Sequence, residues 1–250
     1  MESMQAYRKL ITADGWEEWD KIETDQKKGV APPPPQKPYP EDATLIDLVA
    51  AQDLTVGRMP LIEAINRRKS RRKFTQQALT LEELSFLLWV TQGVHQVIQD
   101  GLGTRRTVPS GGARHPFETY LFVNRVDRVE PGLYRYLSME HQLCLLYADT
   151  ELADKLNEAS YGQSFVGNSA VAFIWTVVPY RTEWRYSIVS HKIIAQDSGH
   201  LCQNLYLASE AIGGGACAVG AYNQAKMDAI LGVDGKEEFV IYVAPVGKIK

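Results

Sequence analysis

Apolar residues recur at three- to four-residue spacing in two stretches of the chain, which is the pattern of one helix face. The first runs from Leu61 to Ile65 within MPLIEAINRRKSRRKF and is followed by basic residues. The second is TLEELSFLLWVTQGV, which starts at a Thr80-x-x-Glu83 capping-box sequence and ends at Gly93. The pattern therefore predicts two helices in the region 59–94.

A longer segment, at about 191–213, is apolar around most of its helical circumference. Its main apolar stripe consists of Ile193, Ile194, Leu201, Leu205, Ala208 and Ile212. A helix that is apolar on nearly all sides lies at the centre of a fold or pairs with a partner chain. Two shorter helices are predicted at about 151–159 and 224–231.

Five stretches are rich in β-branched and aromatic residues, a composition that favours strands. They are ETYLFVNR, GLYRYL, QLCLLYA, AVAFIWTVV and EFVIYVAPV. Because these strands and the predicted helices follow one another in a mixed order, the sequence favours an α+β fold over a regular βαβ array.

The first 54 residues differ in pattern from the rest. Residues 1–30 have the pattern of a charged helix with a few apolar docking points. Residues 31–54 begin with the proline run APPPPQKPYP, which favours an extended polyproline conformation. We therefore divide the chain into an N-terminal helical appendage (1–30), a proline-rich linker and connecting segment (31–54) and one large main domain (55–250).

Composition and charge narrow the function. The formal net charge of −3 gives no support to nucleic-acid binding. The three cysteines form no CxxC pair and suit a reducing compartment. The N-terminus lacks the apolar core of a secretory signal, and the longest apolar run is about half the length of a membrane span. We expect a soluble, cytoplasmic protein that binds neither nucleic acid nor membrane.

Basic residues cluster in two places despite the negative net charge. One cluster, RRKSRRKF at 67–74, flanks a serine, and the other, at 103–115, combines arginines with a Pro-Ser-Gly-Gly turn. Together with Lys248, these segments could enclose one phosphate, because arginine, lysine and serine all donate to phosphate oxygens. Two other interpretations of the first cluster stay open, a solvated patch at a helix C-terminus and a nucleic-acid or nuclear-localisation patch. In the second cluster, three arginines either meet a charged substrate or stay solvated: Arg105, Arg106 and Arg114.

The glycine-rich segment EAIGGGACAVGAY, at 210–222, follows a predicted helix, whereas a dinucleotide-binding fingerprint follows a strand. A Rossmann or P-loop site is therefore excluded. The segment is either a helix C-cap at Gly213 followed by a loop, or a backbone that a flat ligand can approach closely. The histidines and cysteines have no metal-ligand spacing, and no serine-nucleophile motif is present, so neither a metal site nor hydrolysis is expected.

Several motifs, in this order along the chain, resemble the flavin-dependent nitroreductase superfamily, and most closely its SagB-type, azoline dehydrogenase-like branch. They are RKSRR, LTLEELSFLLWVTQGV, RTVPSGGARHPFETYLFV, PGLYRYL, YGQSFVGNSAVAFIWT, DSGHLCQNLYLASEAIGGGACAVGAY and a terminal PVGK, and they span about 55–250. The resemblance implies an α+β fold with a central antiparallel sheet wrapped by helices. It also implies an intertwined homodimer with FMN at the dimer interface.

The resemblance further implies which residues contact FMN. These are Arg68, Lys69, Ser70, Arg72, Pro109, Ser110, Gly111, Gln163, Val219, Gly220 and Lys248. By this resemblance Arg68, Ser70 and Lys248 hold the phosphate. Arg72 faces the N1/O2 edge of the flavin, where a cation stabilises charge on the reduced ring. Gln163 binds the pyrimidine edge.

Two loops complete the implied site. Residues 109–111 resemble the loop that the second subunit places over the flavin. Val219 and Gly220 resemble the segment whose backbone N–H approaches N5, which makes Gly220 a backbone candidate for catalysis. The implied reaction passes hydride through N5 between NAD(P)H or an organic donor and a small organic acceptor, so no side-chain acid or base is obligatory.

Two other functions stay open. One is a SagB-like dehydrogenase of peptide azoline heterocycles. The sequence departs from that branch at one point. The azoline dehydrogenases have a Lys-Tyr pair, whereas the corresponding region of this chain offers only Tyr186 and Lys192, which are not adjacent. The other is a non-catalytic flavin-binding or interaction protein that uses residues 1–40 as its contact element.

Overall fold

A seven-stranded antiparallel sheet forms the centre of the fold in this computed structural model, which describes residues 4–98 and 101–250. The strands of the described residues are β1 Leu45–Asp47, β2 Val94–Ile98, β3 Gly103–Arg106, β4 Phe117–Val123, β5 Gly132–Leu137, β6 Gln142–Tyr147, β7 Val171–Val177, β8 Gly214–Ala216 and β9 Phe239–Lys248. In the central sheet they lie in the order β1-β6-β5-β4-β7-β9-β8, and β2 pairs separately with β3. The five strands predicted from the sequence are confirmed as β4, β5, β6, β7 and β9.

Helices cover both faces of this sheet. Within the described residues they are α1 Met4–Lys9, α2 Leu61–Arg67, α3 Leu81–Gln92, α4 Leu152–Ala159, α5 Tyr180–Tyr186, α6 Ser190–Ala211 and α7 Gln224–Leu231. The two helices predicted before residue 95 are confirmed as α2 and α3, and the other three as α4, α6 and α7. None of the helices in the described ranges is both long and apolar enough to cross a membrane.

The capping sequence predicted for α3 forms as expected. The Glu83 amide donates to Oγ1 of Thr80 at 3.1 Å, and the Thr80 amide donates to the Glu83 carboxylate at 3.0 Å. The helix ends before Gly93, whose amide donates to the carbonyl of Trp89 at 2.7 Å. These bonds satisfy backbone groups that every helix leaves open at its ends.

The central strands β4 and β7 are buried along their whole length, because the sheet is covered on both faces. Alternate residues point to opposite faces of a strand. Leu121 lies in the core under α3 and α6, whereas its neighbour Phe122 lies in a second core under α4 and α7. The mixed helices and antiparallel sheet confirm the predicted α+β class.

The long helix α6 is central, as its apolar pattern predicts. Leu201 and Leu205 are almost fully buried, and α6 packs against α3, α2 and β9. From its end the chain turns into the short edge strand β8, which pairs with the last residues of β9. This turn carries the glycine-rich segment to the sheet edge.

The proline-rich segment at 30–38 lies against the main domain. The carbonyl of Val30 accepts from the indole N–H of Trp184 at 2.8 Å, and the carbonyl of Pro34 accepts from Nε of Arg181 at 2.9 Å. Within residues 4–29, α-helix is confined to α1, and two single 3-10 turns follow it. The division into appendage, linker and main domain stays a prediction.

Candidate functional site

The basic segment that follows α2 runs in extended form along the sheet edge. The amide of Arg71 donates to the carbonyl of Ala216, and the amide of Thr75 donates to the carbonyl of Lys248, both at 2.8 Å. A Cβ at Gly215 would lie 2.3 Å from Cγ of Arg71, so this close approach requires glycine. The segment lines a cavity of 540 Å³ together with residues 249–250.

Ser70 is fixed by a tyrosine that the sequence analysis missed. Oγ of Ser70 lies 2.9 Å from the hydroxyl of Tyr206, and that hydroxyl also accepts from the amide of Ala218 at 2.8 Å. The guanidinium of Arg68 lies 5.5 Å from the centre of the Tyr206 ring. Its presence on the predicted central helix could have identified Tyr206 as a site residue, because a tyrosine packed in a fold normally finds a hydrogen-bond partner for its hydroxyl.

Neighbouring positions of the basic segment point in different directions. Arg71 is turned inward, with Nε 3.4 Å from the buried carboxylate of Glu210. Lys69 and Arg72 are exposed. The guanidinium of Arg72 lies 5.9 Å from the ring centre of Phe165, which brings the cation next to the loop 160–168.

Gln163 joins that loop to the glycine-rich segment. Its amide nitrogen donates to the carbonyls of Ser160 and Ala221, each at 3.0 Å. Both amide hydrogens are thus used within the chain, and the amide oxygen is the part left to accept a bond from a ligand.

Of the two glycine-loop residues, only Gly220 presents open backbone. Val219 exchanges two backbone hydrogen bonds with Val243, at 2.7 and 3.2 Å, and is buried. Gly220 is exposed, and a Cβ built there would meet no atom within 4 Å. A flat ring could approach the backbone at this point.

Lys248 lies beneath the end of α6. Its ammonium donates to the carboxylate of Glu83 and, at 2.7 Å, to the carbonyl of Ile212. A cation at the C-terminus of a helix interacts favourably with the helix dipole. An ammonium has three donors, so one N–H is left for a phosphate oxygen.

The loop 109–111 lies away from these residues in the same chain. Oγ of Ser110 donates to the carboxylate of Asp197 at 2.6 Å. Asp197 precedes Tyr206 by nine residues on α6, which corresponds to about 13 Å along the helix axis. Within one chain the loop therefore stands apart from Ser70.

Two of the three arginines left open by the sequence are structural, which corrects both alternatives considered for them. Arg106 donates to Gln92 at 3.0 Å and to the carbonyl of Pro35 at 3.1 Å. Arg114 lies 4.7 Å from the ring centre of Trp184 and is also buried. Burial lowers the pKa of each guanidinium to about 10, so both stay charged at neutral pH. Arg105 is exposed.

A buried cysteine lies beneath the basic segment. Burial raises the pKa of the Cys217 thiol above its ordinary value, while the charge of Arg72 opposes this shift. Because the thiolate is the nucleophilic form, Cys217 is protonated and unreactive at neutral pH. No group of three histidine, cysteine or acidic residues able to hold a metal ion occurs in the ranges that the structure describes.

The structure thus brings most of the predicted site residues to one end of the sheet. The cations and hydroxyl of 68–72 lie beside the Gln163 loop and the open backbone at Gly220. Such a set can hold a phosphate and a flat ring. It offers no paired acid and base.

The fold and the site together identify a flavin-dependent oxidoreductase. Residues 65–248 match the family model of the nitroreductase family. This match covers most of the chain, and the chain therefore belongs to the nitroreductase family.

Individual relatives agree with this family. A candidate nitroreductase of Methanocaldococcus jannaschii is 30% identical over 202 residues, which are 81% of this chain and 98% of that protein. The trifolitoxin-processing protein TfxB of Rhizobium leguminosarum bv. trifolii is 34% identical over 113 residues, which are 44% of this chain. The match spans only 30% of the length of TfxB.

Solved structures share the fold. A candidate nitroreductase from Ralstonia eutropha has a TM-score of 0.67 and 26% identity over 88% of this chain and 99% of that one. The NADPH:FMN oxidoreductase of Vibrio harveyi, complexed with NAD+, has a TM-score of 0.51 and 21% identity over 75% of this chain and 68% of that one. The second likeness concerns the fold alone.

Proposed function

We propose that the protein binds FMN and transfers hydride through flavin N5 between NAD(P)H or an organic donor and a small organic acceptor. The observation that carries this proposal is the meeting of the basic segment, the Gln163 loop and the Gly220 backbone at one end of the sheet. The family membership gives independent support. The cytoplasmic location and the absence of nucleic-acid and membrane partners stay predictions.

The residues at this end of the sheet fit FMN. Arg68, Lys69 and Ser70 offer two cations and a neutral donor to a phosphate, and the remaining N–H of Lys248 is available to join them. Arg72 is exposed beside Phe165, where its positive charge favours negative charge on a ring bound next to it. Open space above Gly220 leaves room for that ring.

The bound flavin supplies the two-electron chemistry, and the chain supplies binding, orientation and charge. Gln163 is held by two carbonyl acceptors, so its amide oxygen has a fixed direction for a ring N–H. Tyr206 fixes Ser70 and the amide of Ala218 at once, so the distance between the phosphate end and the ring end of the site is set by one side chain.

A homodimer completes this proposal. Leu61, Ile62 and Ile65 of α2 are 65%, 65% and 50% exposed, a set of apolar side chains that a partner subunit would cover. The distance between Ser110 and Ser70 in one chain supports the assignment of the loop 109–111 to the flavin of the partner subunit.

The visible spectrum of the purified protein tests the proposal. We expect a yellow protein with the two absorption bands of an oxidised flavin, and one FMN per chain after denaturing extraction. The double substitution Arg68→Ala and Ser70→Ala should abolish the colour, and Arg105→Ala, which removes an exposed cation elsewhere, should retain it. A colourless wild-type protein that takes up no added FMN would overturn the proposal.

Electron transfer is tested separately. Anaerobic titration with NADH and NADPH should bleach the flavin, and the preferred nucleotide identifies the donor. If the flavin is bound but neither nucleotide nor a nitroaromatic acceptor gives steady turnover, the non-catalytic alternative is favoured.

The likeness to TfxB, whose name assigns it to the processing of trifolitoxin, favours a second candidate function. In this alternative the protein dehydrogenates azoline heterocycles of a peptide. Tyr186 and Lys192, at the junction of α5 and α6, are the residues available in place of an adjacent Lys-Tyr pair. Incubation of the flavin-loaded protein with a thiazoline-bearing peptide under air should then remove two hydrogens from the peptide, as mass spectrometry would detect.

A further inference from the structure

The loop 109–115 has an unusual backbone. Gly112, Ala113 and His115 have φ values of 61°, 55° and 43°, which lie in the left-handed region. Residues other than glycine adopt this region at an energetic cost, so surrounding contacts must hold them there. The loop is also pressed against α6, since a Cβ at Gly111 would lie 2.4 Å from Cγ2 of Ile193.

One carboxylate holds this loop. Oδ2 of Asp197 accepts from Oγ of Ser110 at 2.6 Å and from the amide of Gly111 at 3.1 Å. Oγ of Ser110 in turn accepts from the amide of His115 at 2.9 Å. The three bonds join both ends of the left-handed turn to a single residue on a rigid helix.

The carboxylate of Asp197 contacts mainly the loop 109–115. The residue is only 4% exposed, and the groups that face it are Ser110, Gly111 and, at 3.7 Å, Nδ1 of the half-exposed His200. A buried carboxylate needs hydrogen-bond donors, and here the loop provides them.

These bonds change the role expected for the loop. The only hydrogen of the Ser110 hydroxyl and the only amide hydrogen of Gly111 are both directed to Asp197. Neither group is free to donate to a cofactor. What the loop presents is therefore its shape and the exposed backbone of Gly112.

We propose that Asp197 is the positioning residue of the loop 109–115, which it holds in the one conformation that fits against the flavin of the partner subunit. Ser110 and Gly111 then contribute by being held in place, and not by donating hydrogen bonds to the ring. The effect of the loop on the flavin rests on the proposed FMN function. The anchoring of the loop by Asp197 does not, because it is present in the chain without flavin.

Hydrogen–deuterium exchange of the flavin-free, full-length protein tests the anchoring. Asp197→Ala should speed exchange of the amides of 110–115 by about tenfold or more, because each lost bond to a charged acceptor is worth roughly a factor of ten. Asp197→Asn keeps one oxygen and should lie between Asp197→Ala and wild type. Ser198→Ala is the matched control, since Ser198 Oγ donates only to the carbonyl of Ala195 in its own helix.

FMN titration of the same variants tests the consequence. Asp197→Ala should weaken FMN binding about tenfold. Ser110→Ala should also weaken it, and the double variant should lose less than the two single effects combined, because the bond between Ser110 and Asp197 is lost in both single variants. In steady state, KM for the acceptor should rise more than kcat falls.

Each contrary result has its own meaning. Unchanged exchange at 110–115 in Asp197→Ala would overturn the anchoring. Faster exchange with unchanged FMN affinity and kinetics would overturn the claim that the loop shape matters to the cofactor. Additive effects in the double variant would show that Ser110 contacts the cofactor by itself, which also contradicts the proposal. A wild-type protein that binds no FMN would instead overturn the proposed function.

Discussion

The hydroxyl of Tyr206 lies 2.9 Å from Oγ of Ser70 and accepts the amide of Ala218 at 2.8 Å. Two segments that are about 150 residues apart in the chain are thus tied to the same point of the central helix. The position of Ser70 relative to the glycine-rich segment is consequently fixed before any ligand binds.

Tyr206→Phe should weaken FMN binding about tenfold while the fold is retained. The substitution removes one hydroxyl that orients Ser70, and a hydrogen bond of this kind contributes about 1 kcal/mol, with a further cost for the amide of Ala218 left without its acceptor. Fluorescence titration of the flavin-free protein measures the change. Tyr222→Phe is the control, because that hydroxyl donates to the carbonyl of Val240. Equal affinities for the two variants would contradict the role given to Tyr206.

Alanine substitution of Arg71 should lower the stability of the fold, whereas alanine substitution of Arg72 should weaken FMN binding. Arg71→Ala leaves the buried carboxylate of Glu210 without its closest cation and should cost about 3 kcal/mol in the free energy of unfolding. Arg72→Ala removes an exposed cation and should change stability by less than about 0.5 kcal/mol, but weaken FMN binding about tenfold. Urea unfolding and FMN titration of both variants separate the two effects. A large loss of stability in Arg72→Ala would contradict this division.

Lys248 requires a double substitution before its role in flavin binding can be measured. Lys248→Met leaves Glu83 without its cation and should cost about 3 kcal/mol of stability, whereas Lys248→Met with Glu83→Gln should recover most of that loss. If the remaining N–H of Lys248 binds phosphate, the stable double variant still binds FMN about tenfold more weakly than Glu83→Gln alone. Equal FMN affinity would assign Lys248 to the fold alone.

The sequence predicts the main elements well because local pattern determines them. Five strands and the long helix are visible from apolar spacing, and the capping box at Thr80 and Glu83 is a bond between residues three apart. The hairpin of β2 and β3 was missed. Its second strand carries Arg105 and Arg106 in a segment with the composition of a turn, and no local pattern marks it as a strand.

Contacts between residues distant in the chain could not be predicted. The inward direction of Arg106 depends on Gln92 of α3 and on the carbonyl of Pro35, which are 14 and 71 residues away. Likewise, the sequence gives no sign that Asp197 takes the donors of Ser110 and Gly111. Charge and spacing identify a basic segment, but only packing decides which cations turn inward.

Acid should destabilise the protein through His115. Burial, and then the charge of Arg106, lower the pKa of this imidazole from 6.5 to about 3, so the folded state holds the neutral form. The stabilisation is complete above pH 6.5 and is lost as pH falls from 6.5 towards 3, by at most about 1.4 kcal/mol per pH unit. His115→Asn, which suits the left-handed backbone, should reduce this slope in urea unfolding between pH 7 and 4. Equal slopes for wild type and His115→Asn would contradict the assignment.

Arg181 connects the proline-rich segment to a buried ion pair. One guanidinium nitrogen lies 2.5 Å from the carboxylate of Glu118, and Nε donates to the carbonyl of Pro34 at 2.9 Å. Arg181→Met should cost about 3–5 kcal/mol, because it leaves a carboxylate that is only 3% exposed without its cation.

The double variant Arg181→Met with Glu118→Gln separates these two roles. It removes the buried charge and should recover most of the stability, but the carbonyl of Pro34 still lacks its donor. Limited proteolysis should therefore cleave residues 30–38 several-fold faster in the double variant than in Glu118→Gln alone, at equal urea midpoints. Equal cleavage rates would mean that the other contacts of the segment, such as the bond from Trp184 to the carbonyl of Val30, hold it without Arg181.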